Sequence, residues 1–281
     1  MSKNRLSFEY CDQLVQDFEE VVKKTIISKS SIYYTGVDLG TACVVLAVLD
    51  ENYRPVAGAY RYADVVRDGM VVDYIGAINI VRELKKELED KLGAELIYAA
   101  AAIPPGTDTL DSGAIKNVVQ AAGFELTNIM DEPTAANEVL KIENGAVVDI
   151  GGGTTGISIL KDGKVVYVAD EPTGGTHFSL VVSGAYKMPF SEAEIYKRDP
   201  KNHKELMGVL KPVVEKVSSI INQHIKGYDV REISLVGGTC CLAGIEKIIE
   251  KNTGIFTHKP KNPMFVTPLG IALGCKQESI G

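Results

Sequence analysis

The chain contains no tryptophan, only five cysteines, and no apolar run longer than the eight residues from Leu96 to Ile103. A membrane-crossing helix needs about 20 such residues, so a spanning segment is not expected. Residues 1–30 are interrupted by charge and lack the continuous apolar stretch of a signal peptide. Cys11, Cys43, Cys240, Cys241 and Cys275 include no CxxC pair and are too sparse for a disulfide scaffold. A reducing cytoplasm is therefore the expected setting, with the adjacent Cys240 and Cys241 as thiols rather than a strained disulfide. His177, His203, His224 and His258 show no metal-ligand spacing. Positive charge is also short: 30 Lys and Arg against 37 Asp and Glu give a net charge of −7, which argues against nonspecific nucleic-acid binding. The GxxxxGK[ST] signature of a P-loop is absent.

What remains is the composition of an ordinary globular protein, 45% hydrophobic and 24% charged, with 27 glycines among 281 residues. Residues 8–27 carry Leu14, Phe18, Val21 and Val22 at helical spacing and predict an amphipathic helix. Ser28–Ser31 reads as a linker. From Ile32 the pattern turns to strands, IYYTGVD, ACVVLAVLD and PVAGAY, then a helix over 74–92. The strand LIYAAAAI, stopped by Pro104-Pro105-Gly106, leads to a helix near 108–122, a strand over 124–130 and a short helix opening at Pro133. The opening unit then recurs. AVVDIGGGTTGISIL, a turn at Asp162-Gly163, and KVVYVAD form a second strand meander, in which Asp149 answers Asp38 and Thr154 answers Thr41. Helices are expected near 175–185, 191–197 and 204–226, the last containing Pro212. A strand in REISLVGG, a helix near 242–252 and a final helix opening near Pro268 complete the chain. Strands alternating with helices in two similar halves predict an α/β fold of two lobes: 31–143 completed by 265–281, and 144–264, preceded by 1–30.

The two Asp-x-Gly turns carry the chemistry. Backbone that approaches a polyphosphate closely needs residues without Cβ bulk, and Gly40, Gly151, Gly152 and Gly153 supply them. N–H groups freed in such a turn form an anion-binding nest, to which Thr41 and Thr154 add hydroxyl donors. Asp38 and Asp149 only accept hydrogen bonds when ionised, so beside a phosphate they imply an intervening Mg²⁺ that keeps its waters. Glycine turns in plain β-meanders are the alternative for either hairpin alone. Val236-Gly237-Gly238-Thr239 ends a strand and is expected to feed a helix, a third place where N–H groups and a helix dipole meet an anion; a tight connecting turn would read the same. Glu132, fixed by Pro133, is placed either to orient an attacking water or to cap a helix. Thr134-Ala135-Ala136 and Gly270–Gly274 are small-residue segments that let helices cross closely, as a hinge or as static packing.

In their order, these elements resemble the actin/Hsp70/MreB/sugar-kinase superfamily, in particular its Hsp70-like ethanolamine-utilisation branch. DLGTA (38–42) is similar to the first phosphate segment and DIGGGTTGISIL (149–160) to the second. DEPTAAN (131–137) and TPLGIALG (267–274) resemble the connecting helices, SLVGGTCCLAGI (234–245) the adenosine segment, and AEIYK (193–197) the ribose and adenine segment. The resemblance implies an actin-like ATPase (ribonuclease H-like) fold without a chaperone substrate domain, binding ATP or ADP with Mg²⁺. It implies Asp38 and Asp149 near the metal and Glu132 orienting water. Gly40, Thr41, Ala42, Gly151, Gly152, Gly153, Thr154 and Thr155 would lie on phosphate, Glu194 and Lys197 on ribose and adenine, and Gly237, Gly238 and Thr239 on the adenosine side. Gly156 replaces a second acid common in the superfamily, Cys241 replaces an arginine of Hsp70s, and no phosphate-binding lysine is placed in the first lobe. Binding is thus a firmer expectation than hydrolysis, and turnover is expected to be slow.

The same resemblance implies a chaperone or assembly factor whose partners are ethanolamine-utilisation enzymes or microcompartment shell proteins. The helix over 8–27 either docks to such a partner or packs on its own domain. An actin-like filament protein or non-hydrolysing scaffold is the alternative. A small-molecule kinase lacks an identifiable base, and a redox activator with an iron–sulfur cluster is disfavoured by the scattered cysteines.

Overall fold

A computed structural model describes residues 3–27, 30–67, 70–104 and 109–276. The chain divides into two compact units, residues 1–141 with 265–281 and residues 142–264.

In unit 1, β1 (Tyr34–Leu39), β2 (Cys43–Leu49) and β3 (Pro55–Tyr62) form an antiparallel meander. Strands β4 (Val66–Arg67) and β5 (Met70–Val71) add a small hairpin that the sequence pattern did not announce. Then come α2 (Tyr74–Leu92), β6 (Tyr98–Ile103), α3 (Thr109–Ala121), β7 (Glu125–Asp131) and α4 (Glu132–Leu140). The sheet order is β3-β2-β1-β6-β7, with β6 and β7 parallel to β1. Helix α2 starts where the Asp73 carboxylate accepts from Gly76 N–H at 2.8 Å and ends at Gly93, whose φ of 67° is the left-handed cap conformation that glycine favours. Its buried Ala77, Ile78, Val81, Leu84 and Leu88 recur at helical spacing against the sheet. Of the predicted stop after β6, Pro105 and Gly106 lie outside the described residues, as do Ser28 and Lys29 of the predicted linker.

Helix α1 (Lys3–Lys23) packs within unit 1, against β3 and α4. Cys11, Val15 and Phe18 are fully buried, and Phe18 meets Phe265 edge-on at 5.1 Å between ring centroids. A Cβ at Gly58 of β3 would overlap the Phe18 ring, so that strand is shaped to receive the helix. The face carrying Leu14, Phe18 and Val21 thus packs on the chain's own unit, the self-packing alternative, while Tyr10, Ile26 and Ile27 stay exposed.

Unit 2 repeats the topology: β8 (Gly145–Ile150), β9 (Thr155–Lys161) and β10 (Lys164–Glu171) make the meander. Helices α5 (Gly175–Tyr186), α6 (Phe190–Arg198) and α7 (His203–Ile225) follow. Strand β11 (Ile233–Val236), α8 (Ile245–Thr253) and β12 (Thr257–His258) complete a sheet of order β10-β9-β8-β11-β12. Pro212 sits inside an unbroken α7. Val148, Ile150, Ile157 and Ile159 form the core with Phe178, Leu210, Val214 and Ile221. The chain returns to unit 1 at α9 (Val266–Leu273), which crosses α4 so closely that a Cβ at Gly270 would overlap the Ala135 carbonyl. The small residues at this crossing thus serve tight packing within one unit.

Candidate functional site

The hairpin between β8 and β9 is closed by Gly151 N–H donating to Thr154 O at 3.0 Å. Its carbonyls are held from behind. That of Gly151 accepts from Gly175 N–H at 2.9 Å and from the Thr239 hydroxyl at 2.8 Å. That of Gly152 accepts from Thr176 N–H at 2.8 Å and from the Thr176 hydroxyl at 3.0 Å. A trans peptide points its N–H opposite to its C=O, and the chain has no cis bonds. The pinned carbonyls therefore turn Gly152 N–H and Gly153 N–H to the other side, where neither has an acceptor among the described residues. Two parallel donors without a protein partner are what an anion requires. The start of α5 spends its own first N–H groups on the hairpin. Only glycine allows this approach: a Cβ at Gly174 would lie 2.5 Å from Gly153 C, and one at Gly175 would lie 2.6 Å from Thr239 Oγ1.

Asp149 is the penultimate residue of β8, beside this turn. In register, Asp149 faces Gly156 on β9, and Gly156 faces Asp170 on β10. A Cβ at Gly156 would sit 3.8 Å from Asp149 Cβ and 4.0 Å from Asp170 Oδ1, so the glycine leaves a gap between two carboxylates on one sheet face. Although Asp149 keeps some solvent contact, burial first and the Asp170 charge second push its carboxyl up to about 6. Behind it, burial and the Asp149 charge raise the Cys240 thiol well above the usual range, which makes it an unreactive packing group.

Other predicted residues have different positions from those expected. Thr155 is fully buried and its hydroxyl donates to Thr173 O, so its side chain does not join the turn's outer face. Thr239 braces the hairpin through Gly151 instead of opening a helix. Residues Gly238–Cys241 form a 3₁₀ turn, α8 begins only at Ile245, and Gly237 N–H is bonded to Pro263 O at 3.1 Å. The α-helix expected to open directly after Gly237–Thr239 is therefore replaced by a 3₁₀ turn. Gly237 instead adopts φ 90° and abuts Asp149.

Glu194 and Lys197 bond to each other at 2.9 Å on α6, and Lys197 Nζ also donates to Gly175 O at 2.9 Å. Burial pulls the Glu194 carboxyl up, but Lys197, the Ser179 hydroxyl and Arg198 outweigh it and hold the group below its ordinary value. Burial lowers the Lys197 ammonium despite Glu194. His203 Nε2 donates to Lys197 O at 3.1 Å while Nδ1 accepts from Ala243 N–H at 3.2 Å, which fixes a neutral ring in one tautomer.

In unit 1, Gly40, Thr41 and Ala42 join β1 to β2 after Asp38. A Cβ at Gly40 would stand 4.0 Å from Asp38 Oδ1, the same separation that Gly151 has from Asp149 Oδ1, so the repeat read in sequence is also a repeat of geometry. Glu132 opens α4, but the cap is Asp131, which accepts from Thr134 N–H at 2.9 Å and from its hydroxyl at 2.7 Å. Side-chain capping of α4 thus falls to Asp131, while Glu132 in the first turn suits the positive end of the helix dipole. Asp170 went unnoticed in sequence; Gly174-Gly175 was read only as a turn ahead of His177, and His203 was given no role beyond lacking metal spacing. The glycine pair ahead of a helix was a visible signal, whereas Asp170 depends on strand register.

The model of a family described as Type IV pilus assembly protein PilM matches residues 117–264. The ethanolamine utilization protein EutJ of Salmonella typhimurium is 44% identical over 259 residues, covering 92% of this chain and 91% of that protein. The crystal structure of EutJ from Carboxydothermus hydrogenoformans agrees with a TM-score of 0.90 at 48% identity, covering 95% and 98% of the two chains. The chain belongs to the EutJ family. By the family model it also falls in the wider PilM group. MreB 5 of Spiroplasma citri, solved bound to AMPPNP, has a TM-score of 0.70 at 18% identity over 87% and 96% of the chains and shares the fold. The EutJ fold is thus that of the actin-like ATPases, as the motif order implied. Among the described residues, no helix is long and apolar enough to cross a membrane.

Proposed function

We propose that this EutJ protein binds ATP or ADP with Mg²⁺ and acts in ethanolamine utilisation as an Hsp70-like chaperone or assembly factor. The observation that carries the nucleotide reading is the hairpin Gly151–Thr154, whose back-bonded carbonyls present the Gly152 and Gly153 N–H groups on one side. Gly40–Ala42 supplies the matching segment in unit 1. The AMPPNP held by the MreB 5 fold neighbour supports the same ligand class. The Asp149 and Asp170 carboxylates flanking Gly156 fit a divalent cation, because a positive charge there offsets the burial that chiefly raises Asp149 and the smaller repulsion from Asp170. Bound Mg²⁺ would neutralise phosphate charge. Asp149 and Asp38 would hold its waters, Glu132 would orient the attacking water, and Glu194 and Lys197 would contact ribose and adenine. With Gly156 in place of an acid, binding outlasts hydrolysis and turnover is slow.

The partners in this reading are ethanolamine-utilisation enzymes or microcompartment shell proteins, reached through surfaces other than the covered face of α1. Titration with ATP and ADP plus Mg²⁺ by calorimetry, beside an Asp149→Ala variant, tests the site. Saturable binding that the variant weakens severely is expected. No binding at millimolar nucleotide would leave a scaffold role on an actin-like fold.

A further inference from the structure

The AEIYK segment is expected to contact ribose and adenine, yet the Lys197 ammonium is turned toward the phosphate turn. It donates to Gly175 O at 2.9 Å, and Gly175 N–H donates to Gly151 O at 2.9 Å. One residue thus joins Lys197 to the hairpin carbonyl that orients Gly152 N–H. The other tie on that carbonyl is the Thr239 hydroxyl at 2.8 Å. Lys197 is itself held at both ends. Glu194 Oε2 takes its ammonium at 2.9 Å, and His203 takes its backbone carbonyl at 3.1 Å. Glu194 is anchored in turn by the Ser179 hydroxyl on α5 and by Arg198 at 2.8 Å. The side chain is 9% exposed, so its bonds lie where a charge-assisted hydrogen bond is strong and a lost one is not replaced by water.

We infer that Lys197 is a positioning residue for the phosphate hairpin: through Gly175 it holds the start of α5 against the Gly151 and Gly152 carbonyls, so that Gly152 and Gly153 keep their N–H groups turned to an anion. The inference rests on the nucleotide reading above and adds a distinct role to the ribose and adenine contact. A residue that only touched the nucleoside would affect adenosine and ADP alike. A residue that sets the hairpin weakens ADP more, because the loss falls on the diphosphate.

Two readouts on the full chain test it. In Lys197→Met without ligand, the Gly175 and Thr176 amides are expected to exchange with solvent roughly tenfold faster while core amides such as Val148 are unchanged. The ratio of ADP to adenosine affinity, with Mg²⁺, is expected to fall by about tenfold. Gly175→Ala supplies a second variant that keeps the lysine. Its Cβ would press on Thr239 Oγ1 at 2.6 Å and Lys197 Nζ at 3.1 Å, so the same fall in ratio is expected. Unchanged Gly175 and Thr176 exchange in Lys197→Met overturns the inference. Equal losses of adenosine and ADP in both variants also overturn it, with the nucleotide site intact. A wild-type chain that binds no ADP overturns the nucleotide reading itself, and the exchange rates then decide alone whether Lys197 holds the hairpin.

Discussion

Gly237 is turned onto Asp149, so that a Cβ at position 237 would overlap the carboxylate Oδ1 and stand 2.7 Å from Ile150 O. Its backbone, at φ 90° and ψ 157°, lies in a region that is essentially restricted to glycine. Gly238 next to it has neither constraint: nothing lies within 4 Å of an added Cβ.

Gly237→Ala is therefore expected to lower stability by about 1–3 kcal/mol from backbone strain alone, and to displace the Asp149 carboxylate. Gly238→Ala is expected to change stability by less than about 1 kcal/mol. Urea midpoints with unchanged slopes, followed by Mg-ADP calorimetry, check both. Equal effects at the two glycines would refute the account of Gly237.

Asp149 predicts a stability that runs against function. Its folded value, about 6, lies above that of an unfolded aspartate, so ionising it disfavours the native state. Stability from this group falls as pH rises from about 4 through 6, and the penalty is complete at neutral pH. Asp149→Asn is expected to stabilise the ligand-free chain by about 1–2 kcal/mol at pH 7.5, with the gain vanishing near pH 4, while Mg-nucleotide binding is lost. Asp170→Asn removes the smaller cause and is expected to lower the Asp149 value partway, read by carboxyl NMR titration.

The repeated Asp-x-Gly meanders were legible because both glycine spacing and strand alternation are local, and the paired sheet orders bear out the repeat. The roles of Thr155 and Thr239 were not legible. Whether a hydroxyl faces the ligand or the Thr173 or Gly151 carbonyl depends on how distant segments pack. Asp170 was hidden for the same reason, since only the register of β9 against β10 places it beside Asp149 across Gly156. Helix α1 was readable as amphipathic, but periodicity cannot say what covers an apolar face. Gly58 and Phe265, far apart in sequence, make that decision.

His203 predicts an acid effect of the opposite sign to Asp149. Burial lowers its value first, the Lys197 carbonyl and Asp199 oppose the shift, and Lys259 adds to it. The native state needs the neutral ring, because a protonated Nδ1 would face the Ala243 N–H. Its stabilising contribution is present above the unfolded value of about 6.5 and is lost as pH falls through the lowered folded one. Denaturation of wild type and His203→Gln from pH 7.5 to 5 checks this; the difference between them is expected to shrink as the pH drops. A constant difference would mean that protonation of His203 plays no part.

The N-terminal helix yields the clearest structural prediction. Phe18 is fully buried between β3 and Phe265, and Cys11 and Val15 are buried with it. Truncating a buried aromatic removes transfer energy and leaves a cavity, so Phe18→Ala is expected to cost about 3–5 kcal/mol. Gly58→Ala presses on the same ring from the other side and is expected to destabilise by about 1–3 kcal/mol through overpacking. Residues 1–30 fused to a reporter, with the apolar stripe now uncovered, provide the contrast with partner docking. If the helix serves its own domain, the fusion fails to co-localise with microcompartment shells while Phe18→Ala unfolds the full chain at lower urea. Shell targeting by the fusion together with a full-stability Phe18→Ala chain would reverse that conclusion, because the helix would then be held only loosely and be free to exchange its own domain for a partner.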